Sequence, residues 1–168
     1  MKKGSRGFSL IELLIVVAII LIIAAIAIPN LLRSRIAANQ ASAVGSLRTL
    51  NTAEITYATT YNTGYTSTLG SLGPPAAGSN PAPTAAGLID SVLSGGTATA
   101  SLSTKSGYSF LYTAGATDAS GRVDTYSITA TPITVGTTGT NYYYTDMSGV
   151  IRQNSTTVAG SSDSPLAG

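Results

Sequence analysis

One unbroken apolar run, FSLIELLIVVAIILIIAAIAI, limits what this chain can fold into. It extends 21 residues from Phe8 to Ile28 with a single charge, Glu12, and a single hydroxyl, Ser9. About 20 apolar residues at about 1.5 Å rise span the hydrocarbon core of a bilayer, so the run has the length of a transmembrane helix. Lys2, Lys3 and Arg6 precede it, which favours leaving the N-terminal end in the cytoplasm and exporting the rest. A secretory signal peptide also begins with positive charge. Its apolar stretch, however, is usually only about 7–15 residues and ends at a small-x-small cleavage site. Here the run passes instead into Pro29-Asn30-Leu31-Leu32-Arg33-Ser34-Arg35, which reads as more helix. A retained helix is therefore favoured over a discarded one. Pro29 marks either a kink or simply the end of the membrane span.

Beyond Leu31 the pattern turns amphipathic. Ile36, Val44, Leu47, Leu50, Tyr57 and Tyr61 recur at helical spacings and predict one apolar stripe, with Asn39, Gln40, Ser46, Arg48, Asn51 and Thr52 mostly off it. Gly45 weakens the helix by roughly 1 kcal/mol relative to Ala without stopping it. Asn62-Thr63-Gly64 is a C-terminal stop. A helix from Phe8 to Tyr61 would be about 80 Å long, and no small core covers such a length. Its first half must be covered by lipid or by other copies of itself.

Residues 63–107 carry the turn signals Gly73-Pro74-Pro75, Gly78-Ser79-Asn80-Pro81-Ala82-Pro83 and Ser94-Gly95-Gly96 and read as loop, with one helical turn at Leu88–Leu93. Alternation then predicts strands. Tyr108, Phe110 and Tyr112 form one inward set, and Tyr126, Ile128 and Ala130 form another. A third run at Asn141–Tyr144 and a fourth at Gly149–Arg152 make a hairpin through Thr145–Gly149. The expected fold class is α+β: a long N-terminal helix packed on a small antiparallel sheet.

Composition excludes more than it assigns. The 168 residues include no His and no Cys, which removes the commonest general base, thiol nucleophiles, most zinc and iron–sulfur ligands and any disulfide. Five of the seven acids are scattered singly through the Ser/Thr-rich part, so paired-carboxylate catalysis is disfavoured and the chain reads as a non-enzyme. Asp118, Asp124 and Asp146 lack the spacing of a calcium loop, and neither metal nor cofactor is expected. Without Lys2, Lys3 and Arg6, six bases face seven acids. The basic balance belongs to the leader, and no nucleic-acid face is indicated. Asn154-Ser155-Thr156 matches a glycosylation sequon, a pattern short enough to arise by chance.

A basic leader ending in Gly7, Phe8 opening an apolar helix, and a lone Glu12 inside it together resemble the type IV pilin family. The stretch Gly7-Phe8-Ser9-Leu10-Ile11-Glu12 matches that family's processing motif, Gly-Phe-x-x-x-Glu. The resemblance is close over residues 1 to about 35 and looser over the sheet. It implies a leader at 1–7, an apolar membrane and assembly helix at 8–29, its amphipathic continuation at 30–62, and a globular head at 63–168. It further implies cleavage between Gly7 and Phe8 and N-methylation of Phe8 by a prepilin peptidase. Glu12 would serve subunit docking and Pro29 would be the helix kink. The implied partners are further copies of the chain, the inner-membrane assembly machinery, and the membrane before assembly. The implied role is a type IV pilus subunit, moving from the inner membrane to an extracellular filament for adhesion, twitching motility or DNA uptake. The alternative is a pseudopilin of a type II secretion system. Two departures stand out: Leu21 where many members carry Gly, and no cysteine pair to tie down the C-terminal loop.

Overall fold

The computed structural model of the chain describes residues 7–166; Lys2, Lys3 and Arg6, expected in a leader, lie outside that range. One long helix, α1 (Leu10–Tyr61), is followed by a short 3-10 helix (Leu69–Leu72). Five strands come next: β1 (Leu102–Lys105), β2 (Tyr108–Ala114), β3 (Tyr126–Pro132), β4 (Tyr142–Asp146) and β5 (Arg152–Asn154). The chain divides into two units, with the boundary after Arg35.

In the first unit α1 is apolar and uncovered. It includes a stretch long and apolar enough to cross a membrane, none of it buried within the molecule. Leu10, Ile11, Leu13, Leu14, Ile22, Ile23, Ile26 and Ile28 are all exposed. The helix starts at Leu10, two residues later than the expected Phe8, and continues through both Leu21 and Pro29.

The second unit has its own core. Leu47, Leu50, Ala53 and Tyr57 of α1 pack with Phe110 and Tyr112 of β2, Ile128 and Ala130 of β3 and Tyr143 of β4. The sheet is a meander in simple order, every neighbouring pair antiparallel. Register brings Ala130 opposite both Phe110 on β2 and Tyr143 on β4. A methyl between two large rings lets both reach the helix. Alternation in β2 and β3 puts the expected residues, Tyr108, Phe110, Tyr112, Tyr126, Ile128 and Ala130, inside.

The segment between α1 and the sheet is more ordered than its turn signals indicate. Asn62, at φ 54, and Gly64, at φ 80, end the helix, as their residue types predict. Leu69 and Leu72 of the 3-10 helix then enter the core with Ile89 and Leu93. Asp90 caps the expected helical turn, its Oδ1 accepting the Leu93 N–H at 2.9 Å. β1 was not legible: its four residues show no apolar alternation, and pairing with β2 makes it a strand. β5 begins at Arg152, not Gly149, because the Asp146–Gly149 turn closes first, with Gly149 at φ 72, and Ile151 then enters the core. Ser46 and Asn51, expected off the stripe, are buried.

The C-terminal tail is held without a disulfide. Gln153 N–H donates to Ser164 O at 3.0 Å and Leu166 N–H to Ile151 O at 2.8 Å, covering the edge of β5. Asp163 ties the intervening loop: one carboxylate oxygen accepts Asn154 Nδ2 at 2.9 Å and the other accepts Gly160 N–H at 2.7 Å. Its carbonyl takes Arg152 Nη1 at 2.9 Å. The Asp163→Ala chain should lose about 1 kcal/mol of head stability. It should also be nicked faster by protease between Ser155 and Ser164, with β2 and β3 still protected. Equal cleavage of both proteins would show that Asp163 does not hold the tail.

Candidate functional site

The first turn of α1 collects the motif residues. Gly7, Phe8 and Ser9 precede the helix, and Ser9 N–H donates to Glu12 Oε2 at 2.9 Å. Ser9 thus stands at the N-cap and Glu12 at the third helical position, so the carboxylate takes one of the four donors that a helix start leaves unpaired. Its negative charge also lies at the positive end of the helix dipole. This capping role was not anticipated, although Ser-x-x-Glu before an apolar run is its sequence signature. A carboxylate has about four acceptor positions, and the cap occupies one.

Gly7 and Phe8 have no role within the described fold. A Cβ built on Gly7 meets nothing within 4 Å, and its backbone is not in the left-handed region. Phe8 is 78% exposed, a poor position for a large ring in water. Pro29 contributes no N–H, which removes the i to i−4 bond to the Ala25 carbonyl, yet α1 runs through it.

The head offers no comparable cluster of reactive groups. Asp118 Oδ1 accepts Ser120 N–H and Arg122 N–H, both at 2.8 Å, and Asp124 pairs with Arg122 at 2.6 Å. Asp146 accepts Ser148 N–H at 2.9 Å. Each acid serves its own turn; local donors hold the Asp118 carboxyl below the usual range, and against the upward push of burial the Ser148 hydrogen bonds keep Asp146 below it too. The sequon amide is occupied too, Asn154 Oδ1 accepting Thr156 N–H at 2.9 Å. The inward tyrosines are core. Tyr112 and Tyr126 are stacked with ring centres 5.9 Å apart, and Tyr65 meets Tyr126 edge-on at 4.7 Å. Burial pushes the Tyr108 phenol up to about 12.

One ionisable residue went unnoticed in the sequence. Glu54 is fully buried, with Oε2 accepting Thr66 N–H at 3.0 Å and Oε1 lying 2.5 Å from Thr66 Oγ1. Burial pushes its carboxyl above the usual glutamate range, against the opposing pull of the Thr66 and Tyr112 hydrogen bonds. Its position was the available signal, since Glu54 stands at helical spacing from Leu47, Leu50 and Tyr57.

Residues 2–28 match the family described as the prokaryotic N-terminal methylation motif. The chain is 54% identical over 50 residues to the type IV major pilin protein PilA of Myxococcus xanthus, covering 30% of this chain and 23% of that protein. It is 62% identical over 37 residues to the type IV wide pilus major component PilA4 of Thermus thermophilus, covering 22% and 28% respectively. The matches thus span about a quarter of each relative. No solved structure matches.

Replacing Glu12 with Ala should release the Ser9 amide. Hydrogen exchange in detergent micelles should then quicken in peptides covering Ser9 to Leu13 and stay unchanged across β2 and β3. Unaltered exchange at Ser9 would mean that the cap contributes nothing in the membrane-mimetic state.

Proposed function

We propose, from a methylation motif at residues 2–28 and an N-terminal segment of the type IV pilin kind, that this chain is a prepilin whose mature form polymerises into a surface filament. The observation that carries the reading is the uncovered apolar half of α1, with Phe8 just ahead of its first residue and Glu12 in its first turn. A membrane-bound peptidase hydrolyses the Gly7–Phe8 bond and methylates the new Phe8 amine. Exposure of Phe8 and the absence of any intramolecular need for glycine at position 7 support an outside agent acting there. The amine is largely cationic at neutral pH.

Glu12 acts as the register element. In the membrane-anchored precursor it caps its own helix. In a filament the amine of a neighbouring Phe8 neutralises it through its free acceptor positions. An unpaired carboxylate in that apolar core is costly, so mispaired subunits are disfavoured. Burial of Leu13 to Ile28 against neighbouring helices supplies the driving force. The extracellular filament is preferred over a pseudopilus because both named relatives are pilus components. Attachment, twitching motility and DNA uptake are the roles such a filament serves.

Sheared cell-surface material should contain filaments whose subunit begins at methylated Phe8. Gly7→Leu should leave full-length precursor in the inner membrane. Glu12→Ala should be inserted and processed yet assemble few or no filaments. A mature N-terminus at Met1 or after Ile28, or wild-type numbers of filaments from correctly processed Glu12→Ala, would overturn the corresponding step.

A further inference from the structure

Glu54 is a buried acid with no cation paired to it among the described residues. The titratable groups that face it are phenols: Tyr57 on α1, Tyr112 on β2 and Tyr126 on β3. The ion pairs among the described residues, Lys105–Asp90 and Arg122–Asp124, lie elsewhere. Its short hydrogen bonds are with Thr66, and the Tyr112 hydroxyl, which meets Thr66, also lies near it. Tyr112 Oη is 2.7 Å from Thr66 O and 3.1 Å from Thr66 Oγ1.

Counting hydrogens over these contacts favours the neutral acid. With Glu54 ionised, the Thr66 hydroxyl must give its one hydrogen to Oε1. Tyr112 then has one hydrogen for two contacts, the Thr66 carbonyl and the Thr66 hydroxyl oxygen. With Glu54 neutral, the arrangement closes. The acid donates to Thr66 Oγ1, that hydroxyl donates to Tyr112 Oη, and Tyr112 donates to Thr66 O. Thr66 N–H still donates to Oε2. Four contacts then have four hydrogens, and no buried charge is left with neutral donors alone.

We propose that the head is fastened by a proton: Glu54 is stored as the neutral acid, tying α1 through Thr66 to β2, and its ionisation loosens the segment that follows the helix. Burial raises the folded-state pKa of Glu54 above its ordinary value, so the folded chain holds a proton that the unfolded chain has released. The stabilisation is fully present below the unfolded pKa of about 4.3 and is lost as pH rises through the folded pKa. Asp90, Asp118 and Asp146 have lowered values and act in the opposite sense, gaining stability as pH rises through the acid range. The difference between wild type and a permanently neutral variant isolates Glu54.

The test is thermal unfolding of the full chain in detergent micelles, wild type against Glu54→Gln, from about pH 4 to about pH 9. The two midpoints should converge in acid and separate as pH rises, wild type falling relative to the variant and then running parallel to it. Each unit by which the fold raises the Glu54 pKa appears as a tenfold loss in the folding equilibrium constant. Should Glu54→Gln fail to fold, infrared spectra of the Glu12→Gln chain decide, with Glu12 removed from the carboxyl signal. A protonated-carboxyl band should persist at pH values above the ordinary glutamate range and vanish as pH rises further. Parallel melting curves throughout, or loss of that band within the ordinary glutamate range, would overturn the proposal.

Discussion

The governing constraint is an apolar helical stretch that nothing in its own chain covers. Exposed Leu, Ile and Val side chains run from Leu10 to Ile28, and each costs roughly 1.5–3 kcal/mol in water relative to burial. Summed over such a stretch, the cost exceeds the net stability of an ordinary domain, about 5–15 kcal/mol. The segment therefore needs lipid or protein around it whatever the rest of the chain does. On the proposed reading, folding of the remainder must in turn be independent of that cover, since the cover changes when a subunit leaves the membrane. The second unit meets this requirement with a buried core that begins at Ala43.

Around that core, buried polar groups are mostly matched rather than avoided, with Ser103 Oγ and Arg152 Nε the exceptions among the described residues. Asn51 donates to Thr145 Oγ1 at 2.9 Å and accepts from Tyr126 at 3.1 Å, joining α1 to β3 and β4. Glu54 joins the same helix to the segment after it. Hydrogen bonds of this kind add modestly to stability but penalise any other packing, because a slipped register leaves them buried and unmade. A chain without cysteine gains specificity this way. Asp163 performs the equivalent service for the C-terminal loop, where one carboxylate and one carbonyl gather Arg152, Asn154 and Gly160.

Most of the architecture was legible because periodicity reports burial directly. The strands carrying Tyr108–Tyr112 and Tyr126–Ala130 and the Asn62–Gly64 stop all follow from residue type and spacing. β1 was hidden, since Leu102-Ser103-Thr104-Lys105 becomes a strand only by pairing with β2. Asn51 was expected off the stripe, and Glu54 was given no role, for a related reason. Polarity argues against burial until a partner distant in sequence is known, and Thr145 and Thr66 are such partners. The N-terminal motif was fully visible as residues, but its capping geometry was overlooked because Glu12 had drawn notice only for its charge.

The glycines separate what the fold requires from what acts on the chain. An added side chain at Gly139 would overlap the Tyr108 ring, and Gly149 sits at φ 72 in the β4–β5 turn. Both are demanded from inside, by packing and by backbone conformation. Gly7 has neither demand. Phe8 is likewise unexplained by internal contacts, and Glu12 is explained only in part, since its cap leaves most of its acceptor capacity free. Residues that internal physics leaves unexplained cluster at one end of the chain, in the order small residue, aromatic, acid. That end also adjoins the one stretch whose burial must be supplied from outside. The two observations meet in a single requirement: something other than this chain has to complete what the N-terminal segment leaves open, on the proposed reading first a membrane with its processing enzyme and then other subunits.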